Sequence, residues 1–219
     1  MGRAINLLKD YPKVKRNLAV RAFKKTKANI IIARRFGKDF FDGERKYGYG
    51  GFNYHPKYWS KVVKNFKRYW KLNNNSKILD VGCAKGFMIY DLKKIIPRAY
   101  IRGVDISKYA IKNSKKEVKT LLKVANAKKL PFKDKSFDVV ISINTINNLN
   151  KKDCASAIKE ISRVSKKHSF ITVDAYRDFK EKKNMFMWNL TAKTIMSVKD
   201  WKKTFKKLNY HGDYFWFIP

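Results

Sequence analysis

The stretch Lys77-Ile78-Leu79-Asp80-Val81-Gly82-Cys83-Ala84-Lys85-Gly86-Phe87 limits the fold more than any other part of the chain. Ile78, Leu79 and Val81 make an apolar run too short for a helix, and a turn of small residues follows it. Phe87-Met88-Ile89-Tyr90-Asp91-Leu92 then opens a helical pattern. A strand, a glycine turn and a helix bring backbone N–H groups and a helix N-terminus to one point. Asp80 falls at the carboxyl end of the strand, where open α/β sheets bind ligands. A dinucleotide fingerprint needs three glycines in G-x-G-x-x-G, and this chain places Gly82, Ala84 and Phe87 there. A pyrophosphate therefore finds no open cradle. An amino acid joined to a nucleoside, with one small anionic group and a cation, fits better. Alone, the turn fits almost as well a buried βα turn of an unrelated α/β protein.

The following segments separate these readings. Tyr100-Ile101-Arg102-Gly103-Val104-Asp105-Ile106-Ser107 reads as a second strand ending in an acid. Asp105 lies roughly 20–25 residues beyond the first turn, where a carboxylate can accept from both ribose hydroxyls. Ser107 suits the N-cap of the helix after it. Ala125-Asn126-Ala127 precedes Leu130-Pro131-Phe132, and Ser136 to Asn144 is a further buried strand. Three strand ends, each tipped by a polar residue, are far more specific than one. The ligand they describe is S-adenosylmethionine.

The segments "ILDVGCAKGF", "VDIS", "ANAKKLPFKDKSFDVVIS" and "INNL" resemble the motif series of class I S-adenosylmethionine-dependent methyltransferases of the type 11 group, over about Ser76 to Asp174. A closer resemblance, to uncharacterised bacterial methyltransferases, extends through "FGKDFFDG", "KYGYGGF", "SINTI", "FITVDAYR" and "WNLTAKTIM" and so covers almost the full length. The resemblance implies a Rossmann-like open α/β sheet, mostly parallel, with an antiparallel final strand and helices on both faces. It implies that Asp80, Gly82, Cys83 and Gly86 hold the methionine part. Asp105 with Ile106 would take the ribose, and Asn126 with Ala127 the adenine edge. Many relatives have Asp where Asn126 stands; an amide oxygen still accepts a hydrogen bond but without charge assistance. Asn144 ends the fourth strand, near the methyl centre.

The chain of 219 residues is expected to form one α/β domain, residues 73–219, preceded by an extension over residues 1–72. Residues 1–36 are basic, with Asp10 the sole acid, and read as a helical arm broken near Pro12. From Phe36 to Phe52, Gly37, Gly43, Gly48, Gly50 and Gly51 alternate with Phe40, Phe41, Tyr47, Tyr49 and Phe52. Such a loop can approach a ligand closely and close over it. It reads as a lid with Arg45, Tyr47 and Tyr49 facing cofactor or acceptor, or else as a connection pinned to the core by its aromatics. His55-Pro56 opens a helix to about Lys71 whose apolar positions have helical spacing. Lys151 to Lys166 and Val198 to Leu208 read as helices, Ser169 to Asp174 and Tyr210 to Ile218 as strands. Trp188 to Met196 is either a strand or part of the pocket wall.

The net charge of +35 is extreme for this length. It implies non-specific attachment to polyanions in low salt, and leaves open a nucleic-acid, membrane or glycan partner. Lysines are spread over every predicted helix, together with abundant Asn, Ile, Tyr and Phe, a pattern that AT-rich coding also produces. No run reaches the ~20 apolar residues needed to cross a bilayer. Cys83 and Cys154 form no disulfide framework, and His55, His168 and His211 are scattered, so a metal centre has no support. A reducing cytoplasm is the expected compartment.

Methyl transfer from a sulfonium needs alignment in a closed site and, for a hydroxyl or amine acceptor, a base. Close relatives usually have His where this chain has Asn147, and a neutral amide is no base. The base candidates that remain are Asp174 and His211, with Tyr176 as an orienting donor. Asn147, Asn148, Tyr176 and Arg177 are placed with the acceptor. Base-methylating DNA enzymes carry a proline-rich tetrad after the fourth strand or a Pro-Cys nucleophile; Asn144-Thr145-Ile146-Asn147 has no proline, and neither cysteine follows one. The expected acceptor is a small molecule or saccharide. The alternatives are RNA docked through the basic surface, or cofactor binding with little or no transfer.

Overall fold

The computed structural model describes residues 2–13, 17–50 and 52–219, so Gly51 lies outside the described residues. Five strands form the centre of one sheet: β1 Lys77–Val81, β2 Tyr100–Asp105, β3 Leu122–Val124, β4 Phe137–Ile143 and β5 Ser165–Tyr176. Their spatial order is β3-β2-β1-β4-β5, all parallel. The short β6, Met196–Ser197, and the last strand β7, Asp213–Phe217, both pair with β5. The order reverses between β1 and β4, which makes a crevice at their carboxyl ends.

One expectation about the sheet is corrected. β7 runs parallel to β5, from Phe170↔Asp213 to Asp174↔Phe217, rather than antiparallel. Helix Val198–Lys207 carries the chain back to the start of β5 before β7 begins, so β7 runs in the same direction. The outer edge of β7 is met by the N-terminal segment. Tyr214 N donates to Arg3 O at 3.0 Å, and Ile5 N donates to Tyr214 O at 2.9 Å. Residues before Pro12 are thus extended or turned, not helical, because they pair with an otherwise open strand edge.

The helices are α1 Leu18–Phe23, α2 Lys27–Arg34, α3 Lys38–Asp42, α4 Pro56–Tyr69, α5 Phe87–Ile95, α6 Lys108–Lys112, α7 Lys151–Val164, α8 Phe179–Trp188 and α9 Val198–Lys207. Local chemistry starts most of them. Asn17, Thr26, Ser107, Asn150, Asp178 and Ser197 each accept a backbone N–H at an N-cap, and Pro56 opens α4.

Side-chain alternation along the strands divides the core in two. Ile78, Ile101, Val139, Ile141 and Phe170 pack with Val62, Phe66, Ile89 and Leu92 of α4 and α5. Leu79, Val104, Val140, Ile171 and Val173 pack with Ile158, Ile161, Trp201 and Phe205 of α7 and α9. Helices thus cover both faces and leave the strand tips for a ligand. α1, α2, α3 and α8 gather over those tips: α1 packs on α8, and α3 on α6.

Candidate active site

The turn after β1 is built by backbone conformations that few side chains allow. Gly82 has φ +90°, and a Cβ there would lie 2.0 Å from Thr145 Oγ1 at the tip of β4. Gly86 has φ +78° and starts α5. Gly82 N and Cys83 N both donate to Val104 O, at 2.7 and 3.0 Å, so the turn is sewn to β2. Asp105 completes the seam: Oδ2 accepts from Ala84 N and Oδ1 from Ser107 N, each at 2.8 Å. Burial pushes the Cys83 thiol well up, so it lines the turn as a neutral group.

Asp80 is 4% exposed. Burial, then the charge of Asp105, pushes its carboxyl up to about 8. Burial also raises Asp105, against the backbone donors that lower it. Among the described residues no salt bridge reaches either acid. Two carboxylates without a cation suit a positively charged amino-acid nucleoside, so the residues present fit S-adenosylmethionine. Ile106, exposed beside Asp105, offers an apolar surface at the same tip.

The remaining sequence-predicted cofactor residues are more inward-looking. Asn126 Oδ1 accepts from Lys128 N at 3.1 Å and so shapes its own turn, with Ala127 packed toward the core. Asn144 has φ +48° and its side-chain oxygen accepts from Thr172 Oγ1, which turns it back toward β5.

The Gly/aromatic segment lies over the turn. Lys85 Nζ, on a residue only 7% exposed, reaches Asp42 Oδ1 and Phe52 O, the latter at 2.9 Å. Tyr109 OH donates to Asp42 Oδ2 at 2.7 Å, and Ser107 Oγ donates to Phe36 O. Phe36, Asp42 and Phe52 thus clasp this segment to both ligand-bearing turns. Tyr49 OH accepts from Leu190 N at 2.7 Å and Thr191 N at 3.2 Å. Arg45 Nη1 donates to Gly48 O at 2.8 Å, while Lys46 lies over the Tyr47 ring.

A second polar cluster lies at the tip of β5. Asp174 Oδ2 accepts from Asn147 Nδ2 at 2.7 Å and from Asn189 Nδ2. Burial pushes the Asp174 carboxyl up to about 7, against the two amides. Its Oδ1 receives no hydrogen bond among the described residues. Asn147 Oδ1 is a buried acceptor without a donor among the described residues. Asn148 Oδ1 accepts from Thr191 Oγ1 at 2.8 Å, which joins the cluster to Tyr49.

Three predicted residues lie elsewhere. His211 sits with Arg3, Tyr69, His168 and Gly212 around a cavity of about 260 Å³ at the opposite end of the strands. β7 begins beside Phe170 rather than Asp174, so the turn before it cannot reach the ligand end. Arg177 is exposed and bound to Glu181. Tyr176 faces Lys182 outside the cluster. Sequence reading missed Lys85, Asp42, Asn189, Thr191 and the arginines Arg21 and Arg34. Arg21 lies over the Tyr49 and Trp188 rings and donates to Gly48 O at 3.1 Å. Arg34 donates to Thr191 O and Ala192 O. The one available signal was Lys85, a long side chain in a turn of small residues. Among the described residues, no three His, Cys, Asp or Glu side chains form a metal cluster, and no helix is long and apolar enough to cross a membrane.

Comparison with known proteins agrees with this geometry. A family model described as "Methyltransferase domain" matches residues 72–212. An uncharacterized protein of Methanocaldococcus jannaschii is 32% identical over 50% of this chain and 46% of its own length. A tRNA (carboxymethyluridine(34)-5-O)-methyltransferase of Arabidopsis thaliana is 30% identical over 64% of this chain and 32% of its own. The chain thus spans about half the length, or less, of these curated relatives. The crystal structure of a SAM-dependent methyltransferase from Archaeoglobus fulgidus shares the fold, with TM-score 0.51, 22% identity and 68% of each chain covered.

Proposed function

This chain belongs to the methyltransferase domain family, whose class I members use S-adenosylmethionine, and from that premise we propose that it methylates a hydroxyl or amine of a small polar acceptor, of small-molecule or saccharide type. The observation that carries the acceptor class is the buried, donor-free Asn147 Oδ1 beside the buried Asp174 carboxyl to which the same amide donates. Such an oxygen awaits an O–H or N–H from a ligand.

When bound, S-adenosylmethionine supplies a methyl group on a positively charged sulfur. The protein's part is to align, dry and deprotonate. Asp80 and Asp105 meet the ligand's positive and hydroxyl groups, while Gly82 and Gly86 let the backbone come close. The segment 36–52, clasped through Lys85 and Asp42, keeps water away from the centre. Asn147 and Asn189 fix Asp174 through Oδ2, and Oδ1 accepts the acceptor's proton. A carboxyl raised to about 7 is well matched to that task near neutral pH. Asn147 is then a positioning residue. In this reading residues 1–72 form the covering unit and 73–219 the transferring domain, and the two buried free thiols suit a reducing cytoplasm.

Calorimetric titration with S-adenosylmethionine tests the cofactor, and methyl-tritiated cofactor with fractionated cell extract tests the acceptor. Label in a small-molecule fraction, lost in Asp174→Asn while cofactor affinity stays within about twofold, supports the reading. No binding at millimolar cofactor sinks it. The charge of +35 and the tRNA-modifying relative favour a second reading, an RNA acceptor. Label in RNA that persists at 0.3 M salt decides for it, since electrostatic attachment weakens steeply with salt. Binding without label in any fraction would leave a cofactor-binding protein.

A further inference from the structure

Three of the four helices over the strand tips, α1, α2 and α8, carry an unusual outer surface. Among the described residues nine large apolar side chains are exposed, and five of them, Val20, Phe23, Ile31, Phe179 and Phe186, lie on α1, α2 and α8. Phe23 is 87% exposed and Phe179 81%, more than any of the others. Each helix repeats one pattern along its solvent side. On α8 the exposed stripe is Phe179, Lys182, Lys183 and Phe186, at the spacing of a single helix face. On α2 it is Lys27, Ile31 and Arg35, which ends the helix, and on α1 Val20, Phe23 and the cap Lys24.

α1 and α8 pack together, and Lys25 Nζ donates to Phe186 O, so their stripes adjoin. Positive charge here has little counter-charge. From Tyr11 to Lys38 the sequence contains ten Lys and Arg and no acid. On α8, Glu181 is paired with Arg177, and Asp178 caps the helix. Burial, then Arg21 and Arg34, holds Lys25 below its ordinary value, as in a crowd of cations.

Apolar rings projecting between lysines on a solvent-facing helix surface match the chemistry of an anionic bilayer surface. The rings enter the headgroup region and the ammonium groups meet lipid phosphates. We propose that the α1–α2–α8 face docks this protein on an anionic membrane surface. The patch lies outside the wall of the acceptor cluster, since Arg21 donates to Trp188 O and Asn189 follows directly. Docking therefore sets the outer side of that wall against the lipid. The proposal does not depend on methyl transfer.

The test is co-sedimentation of the full chain, without cofactor, with vesicles of phosphatidylcholine with or without phosphatidylglycerol, at about 0.15 M salt. Binding is expected to the phosphatidylglycerol vesicles and to be at least about tenfold weaker to phosphatidylcholine alone. Phe23→Ser with Phe179→Ser should weaken partitioning at least about tenfold. Lys182→Gln with Lys183→Gln should weaken it roughly tenfold or more, from about 1 kcal/mol per lysine at the surface. Tyr100→Ser, an exposed ring on β2, should leave it unchanged. All these side chains are exposed, so melting temperatures should stay level. Three results overturn the proposal: vesicle binding that ignores the phenylalanine changes, single-stranded RNA binding that those changes abolish while vesicles are not bound, or self-association that they abolish.

Discussion

Asp80 and Asp174 are both buried carboxylates at strand tips, and their surroundings differ. Among the described residues Asp80 has no cation paired with it, only the like charge of Asp105, and burial with that charge raises its carboxyl to about 8. Asp174 receives two amide N–H groups and rises only to about 7. The first acid is held at a cost that a cationic ligand relieves; the second is already positioned by the protein. In the proposed function the first meets the ligand's positive charge and the second accepts a proton.

The strongest attack on the first half of that contrast is Gly82→Ala. Its Cβ would overlap Thr145 and its φ of +90° disfavours any side chain, so cofactor binding should vanish and stability fall by about 3 kcal/mol or more. Calorimetry and denaturant melts read both effects. Asp174→Asn attacks the second half. Turnover should drop about 10²- to 10⁴-fold with little change in cofactor affinity. The wild-type rate should rise with pH through about 7, as Asp174 loses its proton, and the variant should lose that inflection.

A pH series on the ligand-free protein sharpens the comparison. Asp80 is raised in the folded state, so its contribution to stability is full below the ordinary carboxylate range. That contribution is lost as pH rises toward about 8, with a slope of up to about 1.4 kcal/mol per pH unit. Asp174 adds to the loss only up to about 7. Asp80→Asn should flatten the upper part of this window, and saturating cofactor should stabilise more at high pH than at low. A cofactor effect independent of pH would contradict an unpaired acid waiting for a cation.

The smallest effect is expected at the seam between the two regions. Tyr49→Phe removes the oxygen that accepts from Leu190 N and Thr191 N, and should cost about 1–3 kcal/mol in denaturant melts. Tyr49→Ala that left both cofactor affinity and turnover intact would remove the role of segment 36–52 as a lid.

The central fold was legible because its signals are local. The run Ile78 to Val81, the glycines after it and the cap at Ser107 each act over a few residues. The acceptor cluster was only half legible. Asp174 and Asn147 stood out singly, but Asn189 and Tyr49 gain meaning only from chain segments more than a hundred residues apart meeting, as Tyr49 does with Leu190. His211 was misplaced because nothing in its neighbours tells which end of the sheet a closing strand starts from.

The amino-acid order alone thus determined the strand–turn–helix unit and the polar residues at the strand tips, since backbone conformation and hydrophobic alternation are short-range properties. Tertiary structure alone decided that β7 runs parallel and that the N-terminus pairs with its edge. It also decided that Asn147 and Asn189 share one oxygen of Asp174, and that Lys85 clasps the covering segment. Each of these depends on which groups burial brings together, and a buried polar atom takes whichever partner the packed chain presents.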